Sequence, residues 1–183
     1  MEILRKISSV IDAISEYTGR IVAWLTLVIV LVGAFNAILR YWAGWQGIAI
    51  GEFANTFIEL QTYLFAALFL LGAAYTLKQG AHVRVDVLYD RFSLKTRALL
   101  NLIGHILFLV PFCIFMLWAS KNRVINSWGE WSPDPGGLPL FPFMILLPIA
   151  FILLLIQAVG EILKQILQLR GEVNEEPKPE AKP

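Results

Sequence analysis

Three groups of residues in this sequence have the types and settings to do chemistry. Asn36, His105 and Gln157 are polar side chains within apolar runs, and Asn101 lies one helical turn before His105. Glu52 and Glu59 stand at the entry to such a run, and a charged stretch, GAHVRVDVLYDRFS at 80–93, separates two of them. Polar groups inside a membrane span mark ion paths, proton relays or haem ligation when they are functional. A bis-histidine haem needs a second histidine at a suitable depth, but the other histidine, His82, belongs to the charged stretch. His105 therefore reads as a hydrogen-bonding residue between helices, and no cofactor is expected.

A carboxylate at the start of a helix is favoured by the helix dipole, so Glu59 reads either as a good helix start or as a contact to a partner. In the charged stretch, His82, Arg84 and Asp86 alternate with Val83, Val85 and Val87, a period that suits a strand, although no partner strand is evident. Asp86 equally suits the N-cap of a short interfacial helix running to Arg91, with Ser93 capping the apolar run that follows. A solvated turn is the plainer alternative. The sequence contains no metal-ligand cluster, nucleotide loop, nucleophile elbow or paired carboxylates, so no enzyme activity is expected.

The elements that position these residues are membrane helices. The chain has 183 residues, 57% of them apolar and 16% charged, with a mean hydropathy of +0.66. A soluble domain carries about 25% charged residues. Four runs hold no Asp, Glu, Lys or Arg: 21–39, 60–77, 98–120 and 135–160, with lengths of 19, 18, 23 and 26 residues, except that Asp134 closely precedes the last. Pro139 and Pro142 move the start of the last helix to about residue 139. At about 1.5 Å per residue even the shortest run approaches the hydrocarbon thickness. The expected fold is thus all-α, with spans at 21–39, 60–77, 98–120 and 139–160. Twelve of the fifteen Lys and Arg residues fall on one set of alternating segments and three on the other. The positive-inside rule then puts both termini and residues 80–93 in the cytoplasm.

Residues 1–20 place Ile3, Ile7, Val10, Ile14 and Tyr17 at steps of three or four, with Glu2, Arg5, Ser9, Asp12 and Glu16 largely elsewhere, as in an amphipathic helix at the interface. A simple extension of the first span packed on a partner fits the same pattern. The first apolar run is too long for a signal-peptide core, so it is expected to be retained as an anchor. Residues 40–59 and 121–139 read as outer loops whose Trp and Tyr residues form an aromatic belt at the headgroups. Pro111 and Pro148 are expected to kink their spans, Cys113 reads as a small lipid-side or packing residue, and the Pro-rich tail at 171–183 reads as disordered.

Residues 59–93, ELQTYLFAALFLLGAAYTLKQGAHVRVDVLYDRFS, resemble the small membrane subunit, DctQ-like, of tripartite ATP-independent periplasmic (TRAP) transporters. The most specific part is HVRVD at 82–86, preceded by Gly72 and Gly80. EWSPDPGGLP at 130–139 is similar to the branch labelled mannitol or chloroaromatic type. On the sequence, the resemblance extends through all four spans. It implies a bacterial inner-membrane subunit that scaffolds a large permease subunit, with a periplasmic binding protein delivering an organic acid for sodium-driven uptake. Membrane lipids would cover the remaining faces, and no nucleic-acid partner is expected. Under this reading Glu59, Gly72, His105, Trp128, Glu130 and Gly137 are candidate partner contacts, and the chain itself holds no catalytic, metal or substrate site. Two other readings are a membrane anchor of a respiratory complex, disfavoured by the single intramembrane histidine, and a small multidrug exporter, whose first span needs a carboxylate where this one offers Asn36.

Overall fold

Residues 2–46 contain no proline, and in the computed structural model, which describes residues 2–80 and 92–171, they form one unbroken helix, α1 (Glu2–Gln46). The amphipathic segment at 2–20 is therefore the first stretch of the same rod that carries the first apolar run. Every seventh residue from Ser8 to Ala43 is buried or half-buried, with Ile11, Thr18, Leu25, Val32 and Leu39 between them. Such a seven-residue seam belongs to helices that pack nearly side by side.

Helix α1 ends at Gly47, whose φ of 66° only glycine adopts freely. The Gly47 N–H donates to Gly44 O at 3.3 Å and the Ile48 N–H to Ala43 O at 2.9 Å, closing the last turn. Helix α2 (Gly51–Lys78) begins four residues later. Residues 40–59, expected as a loop, are thus helical on both sides of a tight reversal. At a membrane interface the helix satisfies backbone groups that an open loop leaves to water.

The third span is built from α3 (Leu94–Gly104), a π-helical turn (His105–Leu109) and α4 (Val110–Asn126). Ser93 caps α3, its hydroxyl accepting from the Thr96 N–H at 3.3 Å. The π turn has a local cause. Pro111 lacks an N–H and its ring crowds the preceding turn, which the wider π turn accommodates, with the Val110 N–H reaching back to His105 O. In the fourth span, a short α5 (Phe141–Met144) leads through Ile145 into α6 (Leu146–Leu169). Pro148 stands in the first turn of α6, where its missing N–H costs little, and the break falls just before it.

Among the described residues, four helical spans are thus long and apolar enough to cross a membrane. Helices α1 and α2 run antiparallel in steady register: Gly19 meets Tyr75, Gly33 meets Gln61, and Arg40 meets Asn55. A Cβ at position 19 would overlap the Tyr75 ring, so glycine sets how closely these helices approach. Helix α6 packs against α1, α2, α3 and α4 and is the centre of the bundle. A hydrophobic core cluster forms there, where Phe151, Leu154 and Ala158 of α6 meet Leu77 of α2 and Cys113 of α4. Cys113 is fully buried in this cluster.

Candidate functional site

Polar side chains gather at two levels of the bundle. At the level where α2 ends, Gln157 of α6 is fully buried yet saturated with partners. Its Oε1 accepts from the Ser15 hydroxyl at 2.6 Å, and its Nε2 donates to Asp12 Oδ1 at 3.1 Å and Glu161 Oε1 at 2.9 Å. Lys164 Nζ reaches the same two carboxylates, at 2.7 Å and 2.8 Å. One turn along α1, Glu16 takes Lys78 of α2 at 2.7 Å and Arg20 at 3.1 Å. Gln157, Glu161 and Lys164 share a helix face at steps of four and three, as do Asp12, Ser15 and Gly19 on α1, so the helix period alone brings them together. Gly160 lets α1 approach, since a Cβ there would press on Ile11.

This network joins α1, α2 and α6 by charge. Asp12 and Glu161 share the Lys164 ammonium, and all three of these side chains are less than a third exposed. Pairing of this kind keeps ionised groups tolerable where water is scarce. Beside it, His105 borders an open cavity of about 210 Å³ with Asn101, Lys78, Glu161 and Gln165. Asn36 is buried farther along α1, and its Oδ1 has no hydrogen-bond partner among the described residues.

At the opposite level, residues 127–140 fold back on themselves and onto α2. The Leu140 N–H donates to Glu130 O at 3.0 Å and the Ser132 N–H to Leu138 O at 2.9 Å, around an isolated bridge between Trp131 and Pro139. Glu59 fixes this loop from α2. Its Oε2 accepts from the Leu138 N–H at 2.7 Å, and its Oε1 from the Tyr63 hydroxyl at 2.7 Å. Thr56 donates to Gly136 O at 2.6 Å. Gly136 has a φ of 77°, and a Cβ there would run into Glu52 O, so both backbone and space require glycine. Tyr63 stacks on Phe143, with ring centroids 4.1 Å apart, and Trp128 meets Phe141 edge to face at 4.5 Å. Between loop and helix lies an open polar cavity of about 380 Å³ lined by Asn55, Thr62, Ser132 and Asp134 among others.

The residues singled out from the sequence fall as follows. Glu59 lies two turns inside α2 rather than at its start, and its carboxylate is engaged within the chain by the loop. Gly137 belongs to the loop turn, its N–H donating to Asp134 O at 2.8 Å, and Glu130 contributes backbone groups to the same loop. Trp128 is largely exposed, while Gly72 lies half-buried near Val22. His105 sits in the π turn at the other level, so the structure does not bring it near Glu59 or the loop. His82, Val83, Arg84 and Asp86 lie outside the described residues. Gln157 was legible as a polar residue in a span; its partners Asp12, Ser15, Glu161 and Lys164 were not. Their spacing by three and four was the available signal.

Among the described residues, no group of three or more His, Cys, Asp or Glu side chains is placed to hold a metal ion. One polar level ties three helices together, and the other ties the 127–140 loop to α2. No curated protein and no solved structure matched the chain. A family model, tripartite ATP-independent periplasmic transporters, DctQ component, matches residues 50–168, which hold the second, third and fourth spans and leave α1 outside. With roughly two-thirds of its length covered by that match and four helices fit to cross a membrane, this multi-pass chain belongs to the DctQ component family of tripartite ATP-independent periplasmic transporters.

Proposed function

We propose that the chain is the small permease subunit that braces a large membrane subunit during sodium-driven, binding-protein-dependent uptake of an organic acid. The observation that carries this reading is how the polar groups of the spans are used. Gln157, Asp12, Glu161 and Lys164 bond one another across α1 and α6, Glu16 of α1 pairs with Lys78 of α2, and Glu59 is taken up by its own loop. A subunit whose polar groups serve its own packing is suited to holding shape while a partner moves substrate. Substrate and sodium would be handled by that partner, and the transported acid would be selected by it together with the binding protein.

The distribution of Lys and Arg supports a cytoplasmic location for both termini and for residues 80–93. The 127–140 loop would then face the periplasm and help receive the binding protein with its exposed Trp128 and Trp131. The residues 82–86, with the charges of Arg84 and Asp86, would anchor the second and third spans to headgroups or to the large subunit.

The deciding experiment has two arms. Co-expression with the large permease should yield a stable complex, and proteoliposomes holding this chain alone should move no carboxylate down a sodium gradient. Transport by the chain alone would overturn the scaffold reading. A reporter fused within residues 127–140 should be active only outside the cytoplasm, and the reverse result would invert the topology.

A further inference from the structure

The buried seam of α1 is matched by a second one that none of the described residues covers. Ile3, Ile7, Val10, Ile14 and Tyr17 alternate by four and three, and the alternation continues without a miss through Ile21 and Trp24 to Trp42 and Trp45. All thirteen residues in this series are large, apolar and exposed, from 41% at Ile14 to 81% at Trp45. A strict alternation of this kind is the seam by which one long helix packs on another.

Lipid does not account for the whole of it. A helix of 45 residues is about 67 Å long at about 1.5 Å per residue, against a hydrocarbon core of about 30 Å. Even at the steepest usual tilt of about 40°, roughly 28 Å of its length lies outside the core. Arg40 and the Trp42 and Trp45 side chains mark the headgroup level at one end, so most of the surplus is at the Glu2 end. That end is not free to lie flat on the membrane. It is collinear with the span and clamped to α6 by Lys164, Asp12 and Gln157. Its apolar seam thus projects past the hydrocarbon, and water there would meet bare isoleucines.

We propose that this seam docks along one long helix of the large membrane subunit, in a helix pair that continues past the inner edge of the bilayer. The occupant is chosen by three features: a spacing that calls for a helix, a reach that exceeds the lipid, and a family in which a large permease is the membrane partner. The proposal rests on the scaffold reading above. The seam itself lies on the helix outside the family match, so it comes from this chain's own residues.

The test uses single cysteines in a Cys113→Ala background. Ile7→Cys and Ile14→Cys probe the seam, while Glu2→Cys and Ser9→Cys probe exposed positions on the polar side of the same stretch. A water-soluble maleimide is applied to the chain alone and to its complex with the large permease, both in bilayers of the same lipid. The seam cysteines should label readily in the chain alone and on the order of tenfold more slowly in the complex, because interface cores exclude water, with the control positions unchanged. Slow labelling in both samples would mean that headgroups cover the seam, and equal, fast labelling in both that nothing does. Cross-linking of the chain to itself through these cysteines would assign the seam to a second copy. Each of those three outcomes overturns the proposal. Failure to co-purify with the permease would instead sink the scaffold reading, which separates the two.

Ile7→Asp with Ile14→Asp gives an independent check, because both side chains point away from the bundle. The pair should abolish co-purification while leaving the melting temperature of the chain alone unchanged. Normal complex yield would count against the docked seam.

Discussion

At the end of the bundle that holds Asp12 and Lys164, three helices are tied by side-chain charge, whereas at the other end a loop is tied to α2 largely through its own backbone. Lys164 bridges two carboxylates from different helices, and Gln157 fills the space between them. The loop instead presents the Leu138 N–H and Gly136 O to Glu59 and Thr56. The first tie depends on which charges are present and the second on a conformation that only particular residues adopt. Substitutions should therefore sort by end: isosteric loss of charge should hurt the level of Asp12 and Lys164, and an added Cβ the level of the loop.

The largest effect is expected at Gly136. Gly136→Val combines an unfavourable φ with a collision against Glu52 O, together about 3 kcal/mol or more. Gly129→Ala supplies the control, since Gly129 has a φ of 79° with open space around it, and should lose only about 1 kcal/mol. Thermal unfolding in detergent would read both. Equal losses would mean that the collision is relieved and the loop is not held against α2.

Lys164→Met should follow. It keeps the stem but leaves Asp12 and Glu161 without their shared cation, a loss of about 2–3 kcal/mol, below that of a fully buried pair because these side chains retain some exposure. Lys164→Arg should recover most of the stability. If Met and Arg behaved alike, packing of the stem rather than charge would hold α1 to α6.

What the sequence disclosed differs between the two ends for the same reason. SPDPGGLP was legible as a turn because proline and glycine act locally. That Glu59 receives Leu138 was not legible, because the donor is a backbone N–H 79 residues away, and any residue but proline carries one. Four membrane helices followed from runs without charge, since the cost of exposing polar groups to lipid acts on each run separately. Asp12 and Glu16 were read as the water-facing side of an amphipathic helix, a soluble-protein rule. In this bundle they face α6 and α2, while the isoleucines of the same turns point out. Where lipid or a partner replaces water, polar side chains turn inward to one another and apolar ones need not. The π turn could be located only near Pro111, because proline dictates a disturbance but not which form the preceding turn adopts.

Glu59→Gln should cost less than Lys164→Met, about 1–2 kcal/mol, because the amide keeps one acceptor for the two donors that the carboxylate satisfies. Isolated loss of this size with the loop still seated would show the backbone carrying the rest. Fluorescence of Trp128, which rests on Phe141 beside the loop, reports the seating directly.

Tyr63→Phe is the smallest change and the sharpest. It removes the hydroxyl that donates to Glu59 Oε1 while keeping the ring stacked on Phe143, so only one hydrogen bond, about 1 kcal/mol, is at stake. If the loop tie is a matter of backbone conformation, Leu138 continues to hold Glu59 and the loop stays in place. A loss as large as that of Gly136→Val would show instead that the Glu59 side-chain bonds hold the loop, and the two ends would then be tied by the same physics. A loss well below that of Lys164→Met would leave the distinction standing on its weakest contact, since Glu59 meets both the ring hydroxyl and the loop backbone.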